Sequence, residues 1–201
     1  MNRNVKLYLA IAAVALVLAL PITLGCDSSS SGNLVQNPIT ATFTADGAPV
    51  DNSVSLQAGG AGASSDTFKV NVVVGAVDGI NGIDIKVHFN QFFTAFVSGD
   101  FTGSFLQGAL PAAEFDTHAS LFGAGVVDVA AARRGAATTG ITMAAGDTGT
   151  LCTLTFKAIA ATTGQAMSID DTDILVTVCP AAGGACTTQA VTLGGGGMTA
   201  Q

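Results

Sequence analysis

Residues 83–90 alternate without a break: Ile83, Ile85, Val87 and Phe89 fall on one side of an extended chain, Asp84, Lys86, His88 and Asn90 on the other. A period of two predicts a strand with one buried and one solvated face. Slipping it by one residue would bury four polar groups, so its register is strongly specified. Phe68, Val70, Val72 and Val74 alternate with Lys69, Asn71 and Val73 in the same way. A long strand is predicted over 149–160 and shorter ones over 39–44, 54–57, 92–97, 125–131, 140–143, 166–169, 174–178 and 190–193, with turns at Asp78–Gly79 and Thr162–Thr163–Gly164. The strands over 125–131 and 140–143 read as a hairpin, with Arg133–Arg134–Gly135 between them. The stretch holding Phe101, Phe105, Phe115 and Phe122 reads as a loop region, and residues 194–201 as a Gly-rich flexible tail. No helical period appears after the first 25 residues. Many short strands and no helices predict an all-β chain folded as a single β-sandwich.

The opening residues follow another rule. Arg3 and Lys6 precede an apolar stretch of 18 residues, Leu7 to Leu24, and then Gly25–Cys26. This is the layout of a bacterial lipoprotein signal, cut before Cys26 and replaced by lipid on that cysteine. Thr23 stands where such signals usually carry Leu, so an ordinary cleaved signal peptide and an uncleaved anchor are the alternatives. The run 27–33, Asp-Ser-Ser-Ser-Ser-Gly-Asn, offers nothing apolar to pack and suits a tether. The expected organisation is a signal over 1–25, a lipidated Cys26 and tether over 26–37, and the sandwich over 38–193. The expected location is the bacterial cell envelope, outside the cytoplasm, with the membrane held through the lipid.

Composition then narrows the partners. Without residues 1–25, five basic residues face fourteen acidic ones, a net charge of about −9. That balance argues against nucleic acid and against attraction to anionic surfaces by the domain as a whole. Scarce Glu, Lys and Leu beside abundant Thr, Val, Gly and Ala favours strands and turns. The mature part has no Trp or Tyr, the rings on which sugar-binding faces usually rely.

Few residues carry chemistry. Cys179 and Cys186 bracket a Pro/Gly turn, and a disulfide is expected there in an oxidising compartment. Zinc is the alternative, but the other Cys and His form no ligand pattern. Cys152 shares parity with Leu154 and Phe156, which makes it an inert core thiol. His88 and His118 are the only histidines, and no Gly-x-Ser-x-Gly elbow accompanies them. His88 reads as an exposed strand residue. Glu114, Asp116 and His118 read as a polar loop, with a metal site as the other reading. Asp170, Asp171 and Asp173 form the densest acidic cluster, which suits either a solvated turn or calcium. No other cofactor is expected, and the chain reads as no enzyme.

Three segments resemble the cohesin family. Residues 77–90, VDGINGIDIKVHFN, are similar to the cohesin turn that leads into an alternating strand. Residues 96–106, FVSGDFTGSFL, resemble the stretch that follows it, and 149–158, GTLCTLTFKA, the strand near the family's C-terminal end. Asn90–Gln91 departs from the Asp–Pro that commonly ends the alternating strand. The resemblance implies a jelly-roll of about nine strands, related in architecture to cellulose-binding modules. It also implies a non-catalytic binding module with a protein partner, dockerin-like or another envelope protein. Polysaccharide is the alternative ligand and a structural surface subunit the alternative role. The expected contact surface is the polar face of Asp84, Lys86, His88 and Asn90.

Overall fold

The computed structural model describes residues 38–134, 139–172, 174–180 and 184–201. Its strands are, in chain order, β1 (Ala41–Ala45), β2 (Ser53–Ala61), β3 (Thr67–Gly75), β4 (Ile80–His88), β5 (Thr94–Asp100), β6 (Phe115–Gly123), β7 (Val126–Arg133), β8 (Thr148–Ala158), β9 (Thr162–Ile169), β10 (Leu175–Val178), β11 (Thr187–Gln189), β12 (Thr192–Gly194) and β13 (Gly196–Ala200). The all-β sandwich predicted from the residue pattern is present, with thirteen strands among the described residues instead of about nine. The surplus comes from short strands near the end of the chain and from β6.

Two sheets face each other. In the first, β1, β13, β9 and β4 lie side by side, and β7 and then β6 continue beyond β4. Strand β9 meets β4 only at Val87 and His88. Along the remainder of that edge β10 takes over, pairing from Asp84 back to Ile80 and backed in turn by β11. The second sheet runs β12–β2–β3–β8–β5, and only β12 joins its neighbour in parallel.

The alternation in β3 and β4 supplies the central part of the core between the sheets. Val70, Val72, Val74, Ile83, Ile85 and Val87 are buried as their parity requires. In β8 the pairing with β3 shifts register opposite Val72 and Val73, so Leu151 and Cys152 both turn inward. Cys152 is a free, buried thiol, and burial pushes its pKa up to about 12. So high a pKa leaves no thiolate at neutral pH to act as a nucleophile. Phe156 is the hub of the aromatic core, stacked on Phe68 with ring centroids 5.7 Å apart and met edge-on by Phe96 and Phe89.

Three expectations need correction. The 140–143 segment is not the partner of β7; only Ile141 bridges, to Ile80. The true partner is β6, inside the stretch read as a Phe-rich loop. Second, Thr162–Gly164 opens β9 rather than forming a turn. Third, the expected Gly-rich tail is β13, a strand set between β1 and β9 with Met198 fully buried. Glycine serves there because a Cβ on Gly196 would collide with the Phe43 ring. The sandwich therefore extends to Ala200 instead of stopping at 193.

Candidate partner-binding face

The outward side of β4 carries Gly82, Asp84, Lys86 and His88, and its neighbours extend this side into a surface. Register places Asp128, Ala130 and Ala132 of β7 beside it, and Asp116, His118 and Ser120 of β6 beyond them. On the other flank Leu175 stands opposite Asp84 and Thr177 opposite Gly82. Small side chains at Gly82, Ala130 and Ala132 leave a groove of about 390 Å³ bordered by Asp84, Asp116, His118, Leu175 and Thr177. A second groove of about 370 Å³ adjoins it, sharing Asp84 and Leu175 and adding Lys86, Phe122, Asp128, Thr172 and Ile174.

Charges of both signs meet on this surface. Burial, and then the carboxylate of Asp128, hold the Asp84 carboxyl above its ordinary range, while Lys86 and His118 pull the other way. The Lys86 ammonium lies 4.7 Å from the centroid of the exposed Phe122 ring, a cation–π contact. His118 Nε2 is 2.8 Å from Ser120 Oγ and 3.7 Å from Asp128 Oδ2. Asp116 is paired with Arg134. His88 Nε2 lies 3.3 Å from Asp170 Oδ2 but off the direction of a hydrogen bond, so that contact is electrostatic.

Asp84, Lys86 and His88 thus share one face. Asn90 does not join them. It follows the strand, and its side chain secures the turn: Nδ2 donates to Gln165 Oε1, and Oδ1 accepts from the Phe92 N–H. Glu114 stands before β6 and gives its backbone carbonyl to Arg134 N–H. No group of three His, Cys, Asp or Glu that could hold a metal occurs among the described residues. In the acidic cluster, Asp170 Oδ1 accepts from the N–H and hydroxyl of Thr172, which lowers its pKa, with His88 and Lys86 adding to the effect. Asp171 is exposed, and Asp173 lies outside the described residues, as do Cys26 and the signal and tether. Cys179 and Cys186 form the expected disulfide.

His118, Asp128, Phe122 and Leu175 belong to the face and were not assigned to it from the sequence. Asp128 was the one with a local signal, since it alternates with Val127 and Val129.

No protein-family model matches the chain, and no curated protein matches it. Among solved structures it is similar to the cohesin module of a family 33 glycoside hydrolase from Clostridium perfringens, at 11% identity over 80% of this chain and 94% of that one, with a TM-score of 0.46. It is similar to the sixth cohesin of scaffoldin B from Acetivibrio cellulolyticus, solved with a Cel5 dockerin, at 18% identity over 72% and 96% of the two chains and a TM-score of 0.48. A non-cellulosomal cohesin from Archaeoglobus fulgidus is 15% identical over 76% and 85%, with a TM-score of 0.43. Likeness at this level names no partner for the chain.

Proposed function

We propose that the chain is a non-catalytic binding module, tethered by lipid on Cys26 outside the cytoplasm, and that its partner is a protein docking on the β6–β7–β4–β10 face. The observation that carries this reading is the paired groove, in which Asp84, Lys86 and Asp128 stand beside the apolar Leu175 and Phe122. Mixed charge around a small apolar centre suits a protein surface that must match both shape and sign. The cohesin-like motifs 77–90, 96–106 and 149–158 support a dockerin-like partner. Polysaccharide is the weaker reading, because the face offers Phe122 as its large ring and that ring already covers Lys86.

The test uses the full chain, purified in detergent, as bait for envelope proteins, followed by titration of each captured protein. An Asp84→Ala/Lys86→Ala change should weaken the true partner by about 1–3 kcal/mol. A Lys69→Ala/Thr155→Ala change on the opposite sheet should leave it unaltered. The reverse result would move the site to the other sheet. Saturable binding to a glycan array, with no protein captured, would favour the polysaccharide reading. The anchor is read separately, by mass: the mature chain should begin at Cys26 and carry acyl chains.

A further inference from the structure

One end of the sandwich collects the start of β1 and two exposed large apolar side chains outside the binding face, Phe92 and Ile159. The register fixes which loops share it. Ala41 N–H donates to Ser65 O in the β2–β3 turn at 2.8 Å, and Ala158 N–H donates to Asp66 O at 2.7 Å. Ile159 N–H then donates to Phe93 O at 2.9 Å, which brings the β8–β9 connection against the β4–β5 loop. On this near end Phe92 is 76% exposed and Ile159 49%. The Ile159–Phe93 backbone bond holds the two connections together, so an exposed ring and an exposed aliphatic side chain project from the same end.

Charge is distributed the opposite way. The connections at the far end hold Asp46, Asp51, Asp78, Glu114 and Asp147. Among the described residues of the near end the one carboxylate side chain is that of Asp66, and Lys157 neutralises it at 3.2 Å. The apolar end is therefore also the end that an anionic surface does not repel.

Chain length supplies the last element. Residues 26–37 separate Cys26 from the first described residue, Pro38, and covalent geometry limits their span to about 40 Å. They join the domain at β1, hence at the near end.

We propose that this near end rests on the lipid bilayer, with Phe92 and Ile159 inserted at the headgroup boundary, so that the lipid on Cys26 and these two side chains hold the domain in one orientation. The inference rests on lipidation of Cys26. An aromatic and an aliphatic side chain at this depth contribute burial that a tether alone does not supply. In this pose the strands stand across the membrane plane, and the face bearing Asp84, Lys86 and His88 looks sideways, open to a partner.

The chain contains no tryptophan beyond any introduced, so a single reporter can be placed without background. Full-length lipidated chains carrying Phe92→Trp, Ile159→Trp or, at the far end, Val50→Trp are reconstituted into phosphatidylethanolamine–phosphatidylglycerol vesicles with and without brominated lipid. The two near-end variants should show blue-shifted emission and strong quenching by bromine, and the far-end variant neither. If the chain floats with the vesicles while near-end emission stays red and unquenched, the docking is overturned and the anchor stands. If the chain does not float, anchor and docking fall together.

Discussion

Phe89, the residue just after β4, meets Phe156 of β8 edge to face across the two sheets, with ring centroids 5.4 Å apart. The strand that carries the candidate binding residues is therefore clamped at one end by the aromatic hub of the core. Rigid support of this kind holds a binding face in shape before a partner arrives. Phe156→Ala should cost about 3–5 kcal/mol, because it empties a fully buried site touched by Phe68, Phe89 and Phe96. Urea denaturation of the variant checks it. A loss below about 1 kcal/mol would mean that the three rings do not depend on Phe156 as their common neighbour.

Met198 tests the last strand. Met198→Ala should destabilise the domain by about 2–5 kcal/mol, since the side chain is fully buried between β1 and β9. Met198→Asp should prevent folding by placing a charge there. Wild-type stability in both would return residues 194–201 to the status of a tail.

The pH dependence of stability has a sign set by Asp84. Its carboxyl is held above the ordinary range, so the ionised form costs the folded state, and that cost is present above the folded pKa and relieved as pH falls through it. Asp84→Asn should therefore raise the melting temperature at neutral pH, and the difference should close under mildly acid conditions. Asp66, Asp100 and Asp170 have lowered values and act in the opposite sense, contributing stability that is lost as pH falls. Calorimetry of wild type and variant across that range separates the two. A difference that does not change with pH would remove ionisation of Asp84 as its cause.

The Cys179–Cys186 bridge closes a short loop between β10 and β11. Replacing both cysteines with serine should cost about 2–3 kcal/mol in the chain-entropy account. In the native protein Cys152 should resist iodoacetamide, and it should react once the domain is unfolded. Peptide mapping of non-reduced protein reads both outcomes, and a bridge that includes Cys152 would contradict the inward turn of β8.

What could be read from the sequence was what is written locally. The side chains of β4 declare both faces within eight residues, so the outward placement of Asp84, Lys86 and His88 is legible in the sequence. Strand β6 escaped notice because it is an edge strand, with inward positions mixed among Phe115, Thr117, Ala119 and Leu121 and much of its length exposed. Its polar residues join the face only through pairing with β7, and the period of a strand does not encode its neighbour. Asn90 failed in the other direction: its parity is right, but the strand ends at His88 and a turn claims its amide. Strand β13 was hidden by its glycines, which look like tail composition, although Gly196 is held to glycine by the Phe43 ring that a Cβ there would meet.

The place of β13 also sets the order in which the molecule can be completed. Thr42 and Thr199 share a hydrogen bond across a sequence separation of 157 residues, and among the described residues β13 is the one strand paired with β1. Bringing such distant segments together is slow, because loop entropy is lost before any contact compensates for it. Until β13 arrives, the first sheet stays open along that side and β1 hangs free of it. If the chain is exported as proposed above, such a late final stitch would keep the domain incomplete while it crosses the membrane.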